Sequence, residues 1–152
     1  MGQVVELVVE CVAEHGLLRL LTHASRMGTV LDADVDGVQV SATVTASQIC
    51  HDVTSSATIR MVDFDIPVVG SIRGVVLRVL QTAANTFDLE VSLDLDDVSQ
   101  PADLSQGLFD LGQVLAEYGA ASSYFAGLEP ASDMDTRFFT DNEWGPYRLP
   151  MS

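Results

Sequence analysis

The residues in this chain with spacings suited to chemistry are carboxylates in short alternating runs. Asp32-x-Asp34-x-Asp36-Gly37 reproduces the first half of an EF-hand calcium loop, in which oxygens at alternate positions grip a hard cation. The twelfth position of such a loop, where a bidentate Glu belongs, is Thr43, and the flanking residues alternate like strands rather than helices. These aspartates are therefore read as part of a β-hairpin. Asp63/Asp65 and Asp133/Asp135 repeat the spacing, and Asp94, Asp96 and Asp97 form another cluster. With no histidine or phosphate-binding loop beside them, they read as solvated carboxylates, and no metal or cofactor is assigned. His15, His23 and His51 lack the short spacings of a zinc site. Cys50-His51-Asp52 has the composition of a nucleophile with its base, but adjacent side chains point apart and make a poor dyad. No G-x-S-x-G elbow or glycine-rich phosphate cradle is present, and no catalytic residue is assigned.

The elements that must position these groups follow from periodicity. Val4 to Val12 reads as a strand on its valine density, although Gln3, Glu6, Glu10, Ala13 and Glu14 would also fit one helical stripe. A helix is expected from about Gly16 to Arg26, with Gly28 as its C-terminal cap. Val38, Val40, Ala42, Val44 and Ala46 alternate with polar residues as a half-buried strand, and Asp36-Gly37 before it is the dipeptide of a type I′ turn. That hairpin pairs Val35 with Val38, Ala33 with Val40 and Leu31 with Ala42. Thr58 to Phe64 predicts a strand ended by Pro67. Val75 to Leu80 and Phe87 to Leu95 predict a second hairpin, in a register that opposes Val79 to Phe87 and Arg78 to Asp88. One face is then core and the other a row of carboxylates. Pro101 opens an amphipathic helix with Leu104, Leu108, Leu111 and Leu115 on its apolar side, capped near Gly119, though Ser122 and Phe125 would extend the stripe. Beyond Glu129-Pro130 the chain reads as loop with an aromatic-rich tail. The expectation is one α+β domain over residues 1–152: a mostly antiparallel sheet built from hairpins, with two helices on one face.

Charge narrows the function. Twenty-two acids face seven bases, every base is Arg, and the net charge is −15. Residues 1–87 hold 9 acids and 5 arginines, whereas residues 88–152 hold 13 acids and 2. Such a field repels nucleic acid and anionic membranes and steers cationic partners inward. Cys11 and Cys50 lie far apart and read as free thiols, which with the absence of an apolar span or basic leader places the protein in the cytoplasm.

The C-terminal stretch carries a further signal. Its G-L-E-P-A-x-D-x-x-T-R-x-F pattern and later Gly-Pro resemble the C-termini of small immunity proteins of bacterial polymorphic-toxin systems, with Gly127, Glu129, Pro130, Asp133, Thr136 and Arg137 at the matching positions. The resemblance implies a cytoplasmic protein that binds and neutralises one cognate toxin domain. The leading expectation is a non-enzymatic acidic binding protein whose partner is a basic toxin domain. Its contact residues are Asp88, Glu90, Asp94, Asp96 and Asp97 on a strand face, with Asp133, Asp135 and Trp144 as a second group. The competing reading is a small enzyme or ligand-binding domain using His51, Asp52, Arg60 and Asp63 in a pocket between sheet and helix. A third makes the aromatic tail the docking segment of a homodimer.

Overall fold

Alternation of apolar and polar residues puts more than half of the elements into strands, and a computed structural model describes residues 3–41, 46–147 and 149. In chain order the elements are β1 (Val4–Ala13), α1 (Glu14–Ser25), β2 (Thr29–Val35), β3 (Val38–Val40), α2 (Ala46–Asp52), β4 (Ser56–Ile66), β5 (Gly70–Ala83), β6 (Thr86–Asp94), α3 (Pro101–Gly119), β7 (Ser123–Leu128) and β8 (Arg137–Thr140). Short 3-10 turns at Leu95–Asp97 and Met134–Thr136 lead out of β6 and into β8. The strands form one antiparallel sheet in the order β3-β2-β4-β5-β6-β1-β7-β8. The N-terminal strand thus lies inside the sheet, between β6 and β7.

One face of the sheet is covered. Val5, Leu7 and Val9 of β1, Leu77 and Val79 of β5, and Leu89 and Val91 of β6 share a single buried core with Leu17, Leu20 and Leu21 of α1 and Leu104, Leu108, Leu111 and Leu115 of α3. Where α1 and α3 cross, the backbones nearly touch: a Cβ on Gly16 would lie 2.3 Å from the Gly119 carbonyl oxygen. Only glycine permits that approach, and it draws both helices tightly onto the sheet. The α+β class and the antiparallel hairpin construction match the expectation, with three α-helices among the described residues in place of two.

Several local differences have physical causes. Of the expected alternating strand, Val38–Val40 is observed; residues 42–45, and with them the Leu31–Ala42 pair, lie outside the described residues, and Ala46 and Ser47 open α2 rather than continue the strand. Ala33–Val40 and Val35–Val38 pair as read, about a turn with positive φ at both Asp36 and Gly37. Val38 nevertheless stays exposed, because β3 is the sheet edge and among the described residues no strand pairs beyond it. The second hairpin is shifted by two residues: Val79 faces Leu89, and Arg78 faces Glu90 rather than Asp88. A turn at Ala84-Asn85, with Asn85 at φ 62°, sets that register. An even shift keeps every side chain on its expected face. Gly28 does not cap α1, which ends at Ser25 with Arg26 as its C-cap; its hydrogen faces β4, where a Cβ would lie 2.8 Å from the Val62 oxygen. Ala120, in left-handed conformation, caps α3 in place of Gly119. Ser122 and Phe125 do not continue that helix, and Phe125 lies within β7. The tail read as loop contains β8, whose Phe138 and Phe139 are fully buried.

Candidate functional site

The opposite face of the sheet lies away from the helices and carries the polar half of each alternating strand. Strand registers line its side chains into rows. One row runs Asp34, Thr58, Arg78, Glu90, Val8, Phe125, and the next runs Asp32, Arg60, Val76, Ser92, Glu6, Gly127. Around Glu90 the rows form a cleft of about 430 Å³ in which Glu6, Glu10, Asp88, Glu90 and Glu129 meet Arg78, the one cation lining it among the described residues, above a floor of Val8 and Phe125.

Four of the five carboxylates are held by a local device. A bulge in β1 puts Cys11 at φ 57° and turns its N–H outward, where it donates to Asp88 Oδ1 at 3.0 Å. Glu6 Oε1 accepts from the Ala131 N–H at 3.2 Å, and Glu10 Oε1 accepts from the Ser123 hydroxyl at 2.8 Å. Glu90 pairs with Arg78 at 3.2 Å and is 20% exposed, against 49% for the arginine. Burial raises the Glu90 pKa above the usual glutamate value; Glu6, Asp88 and Glu129 push the same way and Arg78 opposes them. Glu129 stands exposed at the rim. Five carboxylates against the one guanidinium that lines the cleft leave it ready to receive cationic side chains, and the exposed part of the Arg78–Glu90 pair exchanges readily for an incoming cation.

The residues expected to bind a partner fall in four places. Asp88 and Glu90 lie on the open face. Asp94, Asp96 and Asp97 lie at the end of β6, where the Asp94 carboxylate accepts the Asp96 N–H at 2.9 Å and caps the turn. Asp133 does the same for Asp135 in the β7–β8 connection. Trp144 belongs to the helix side: its ring stacks on Phe109 of α3 at 5.3 Å and meets Phe139 edge-on at 5.9 Å, leaving it 49% exposed. Glu6 and Glu10 were missed by sequence reasoning. Their signal was present, because with β1 a strand the spacing of four puts both on one face; only the placement of β1 beside β6 made that face the acidic one.

The residues of the enzyme reading do not converge on one site. His51 and Asp52 pair with each other at 2.8 Å at the exposed end of α2, while Arg60 sits on the open face bound to Asp32 and Asp34. Cys50 packs against the core, and burial pushes its thiol up to about 11, far from a reactive thiolate. The calcium-like run is committed elsewhere as well. Arg60 takes Asp32, and Asp36 accepts hydrogen bonds from the Thr54 N–H and hydroxyl and from the Ser55 and Ser56 N–H groups.

The C-terminal pattern is largely architectural. Gly127 packs against the backbone of Thr136, where a Cβ would come within 2.7 Å of an oxygen. Arg137 donates to the carbonyls of Ala131 and Ser132 and lies 4.8 Å above the Phe125 ring. These contacts fold the β7–β8 connection back against the open face and leave Glu129 at its rim.

Fold and site together define an acidic α+β binding protein: one sheet, helices behind it, and a carboxylate-lined face in front. The family model of the PABL017 Cdi1I immunity protein matches residues 3–144, nearly the whole chain, and the protein belongs to that family of immunity proteins. A crystal structure of the toxic C-terminal tip of CdiA from Pseudomonas aeruginosa in complex with immune protein contains a chain of the same fold. That chain is 22% identical with a TM-score of 0.77, and the match covers 96% of this chain and 99% of the other. No curated protein matches. Among the described residues no helix is long and apolar enough to cross a membrane.

Proposed function

We propose that this immunity protein neutralises the C-terminal toxin tip of a CdiA-like protein, and that it does so with the open face of its sheet. One observation carries the location: Glu6, Glu10, Asp88, Glu90 and Glu129 converge around Arg78 on the face turned away from the helices. The partner surface is accordingly basic, and long-range attraction accelerates its capture before short contacts form. Asp88 and Glu90 are the central contacts of this reading and Glu129 its rim. Asp133 and Asp135 adjoin the rim through Pro130 and Ser132. Asp94, Asp96, Asp97 and Trp144 lie beyond the cleft and take a smaller part. Two unpaired cysteines suit a reducing compartment, so the proposed site of action is the cytoplasm.

The test uses a CdiA-like toxin tip, the partner this reading names. Purified together, the two should form a complex of one chain each, and expression of this chain should restore growth to cells producing the tip. Glu10→Lys combined with Glu129→Lys should lower both complex formation and protection. Unchanged binding by that variant, in a complex that otherwise forms, would place the toxin on another surface.

A further inference from the structure

Arg19, His23 and Arg26 stand out on this acidic molecule. Their spacing of four and three sets them in one stripe along α1 and its C-terminal cap. Arg19 and Arg26 are exposed, and among the described residues neither is in an ion pair, whereas Arg60 and Arg78 both are. His23 stacks on Tyr118 of α3 with ring centroids 4.5 Å apart and planes 20° from parallel. The stack, Leu18 and the two arginines line a groove of about 330 Å³ between the helices. Leu18 and Tyr118 are 43% and 41% exposed. An apolar floor with a cationic rim matches an acidic segment that projects one apolar side chain.

The chain presents such a segment itself. Asp133-Met134-Asp135 forms the tip of the β7–β8 connection, and Met134 is 72% exposed. The Asp133 carboxylate accepts the Asp135 N–H, which fixes the tip as a compact knob flanked by two acids. This knob cannot reach its own groove. It adjoins the start of β1, where Ala131 bonds to Glu6, whereas the groove lies beside Gly119, which packs on Val12 near the other end of that strand. Six strand residues separate them by about 20 Å.

We infer that the Asp133–Asp135 knob of one molecule docks in the α1–α3 groove of a second copy. Met134 meets Leu18 and the His23–Tyr118 stack, and the two aspartates face Arg19 and Arg26. Knob and groove are different surfaces, so the contact is heterologous and adds copies head to tail rather than closing about a twofold axis. A groove of this size makes the association weak and sensitive to both concentration and salt. The inference does not rest on the proposed function, although the knob adjoins the rim of the proposed toxin face and the two contacts would crowd each other.

Sedimentation velocity of the full chain, in a concentration series at physiological and high salt, reads the mass directly, the physiological salt screening the repulsion between two acidic chains. Wild type should grow heavier with concentration and return to monomer mass in high salt. Arg19→Glu and Met134→Lys should each weaken association by about tenfold or more, since each places a charge against its like or into the apolar floor. Mixing the two variants is decisive, because the first keeps its knob and the second its groove. The mixture should form a complex of two chains and stop there. A wild type that stays monomeric throughout, variants that associate as it does, or a mixture of folded variants that remains monomeric or grows past two chains would each overturn the inference; circular dichroism of each variant confirms folding.

Discussion

Reversing the charge of Glu10 and Glu129 is the sharpest perturbation of the open face. Glu129 is exposed and Glu10 partly so, and their reversal should leave stability within about 0.5 kcal/mol of wild type. Glu10 gives up only its bond to the Ser123 hydroxyl. The cleft carries five carboxylates and one arginine, and two reversals bring its net charge from −4 to zero. At about 10 Å in water, two unit charges interact by about 0.4 kcal/mol, which screening at physiological salt cuts to about 0.1 kcal/mol. Four lost units facing a toxin patch of about four cations then amount to about 2 kcal/mol, or roughly 25-fold in association rate, inside the usual range for steered encounters. Stopped-flow mixing with the toxin tip, repeated across a salt series, measures both the rate and its slope against ionic strength. The variant should associate about 25-fold more slowly with a much flatter salt dependence. A rate within about twofold of wild type, with the salt slope unchanged, would refute electrostatic capture by this face.

Three further outcomes follow from the geometry. Because the Glu90 pKa is raised, a cationic toxin group that favours its ionised form must expel a proton on binding, so toxin affinity should fall as pH drops through that raised value; titration calorimetry should show Glu90→Gln removing this part of the pH dependence. Asp36 titrates in the opposite sense: burial opposes its ionisation, but the hydrogen bonds from Thr54, Ser55 and Ser56 together hold its pKa below the usual carboxylate range. The stabilisation it gives is therefore full above its unfolded pKa and lost as pH falls through the folded one, and Asp36→Asn should lower the melting temperature at neutral pH but much less in acid. Gly127→Ala should destabilise the chain by about 1–3 kcal/mol in urea unfolding, since its methyl group would press on the Thr136 backbone and part β7 from β8.

Much of the architecture is written in local pattern. The alternation of Phe87, Leu89, Val91 and Leu93 with Asp88, Glu90, Ser92 and Asp94 sufficed to predict strand, face and a carboxylate row, because side-chain period is a property of the strand alone. Asp36-Gly37 sufficed for the first turn and the leucine spacing for α3. The last two strands were harder: β7 continues the apolar stripe of α3 for several residues, and β8 is only Arg137–Thr140, too short for periodicity to register.

The charge shows the same division. Sequence counts placed the excess acid after residue 87, but the cleft draws Glu6 and Glu10 from the first strand and leaves Asp94, Asp96 and Asp97 outside it. By itself the sequence determined an acidic α+β binding protein, the outward side of each strand, and, through its C-terminal pattern, the resemblance to immunity proteins. Tertiary structure alone decided which outward sides became neighbours. Strand order inserts β1 between β6 and β7, and sheet pairing is fixed by long-range burial of Val5, Leu7 and Val9 beneath the helices, which no local spacing encodes.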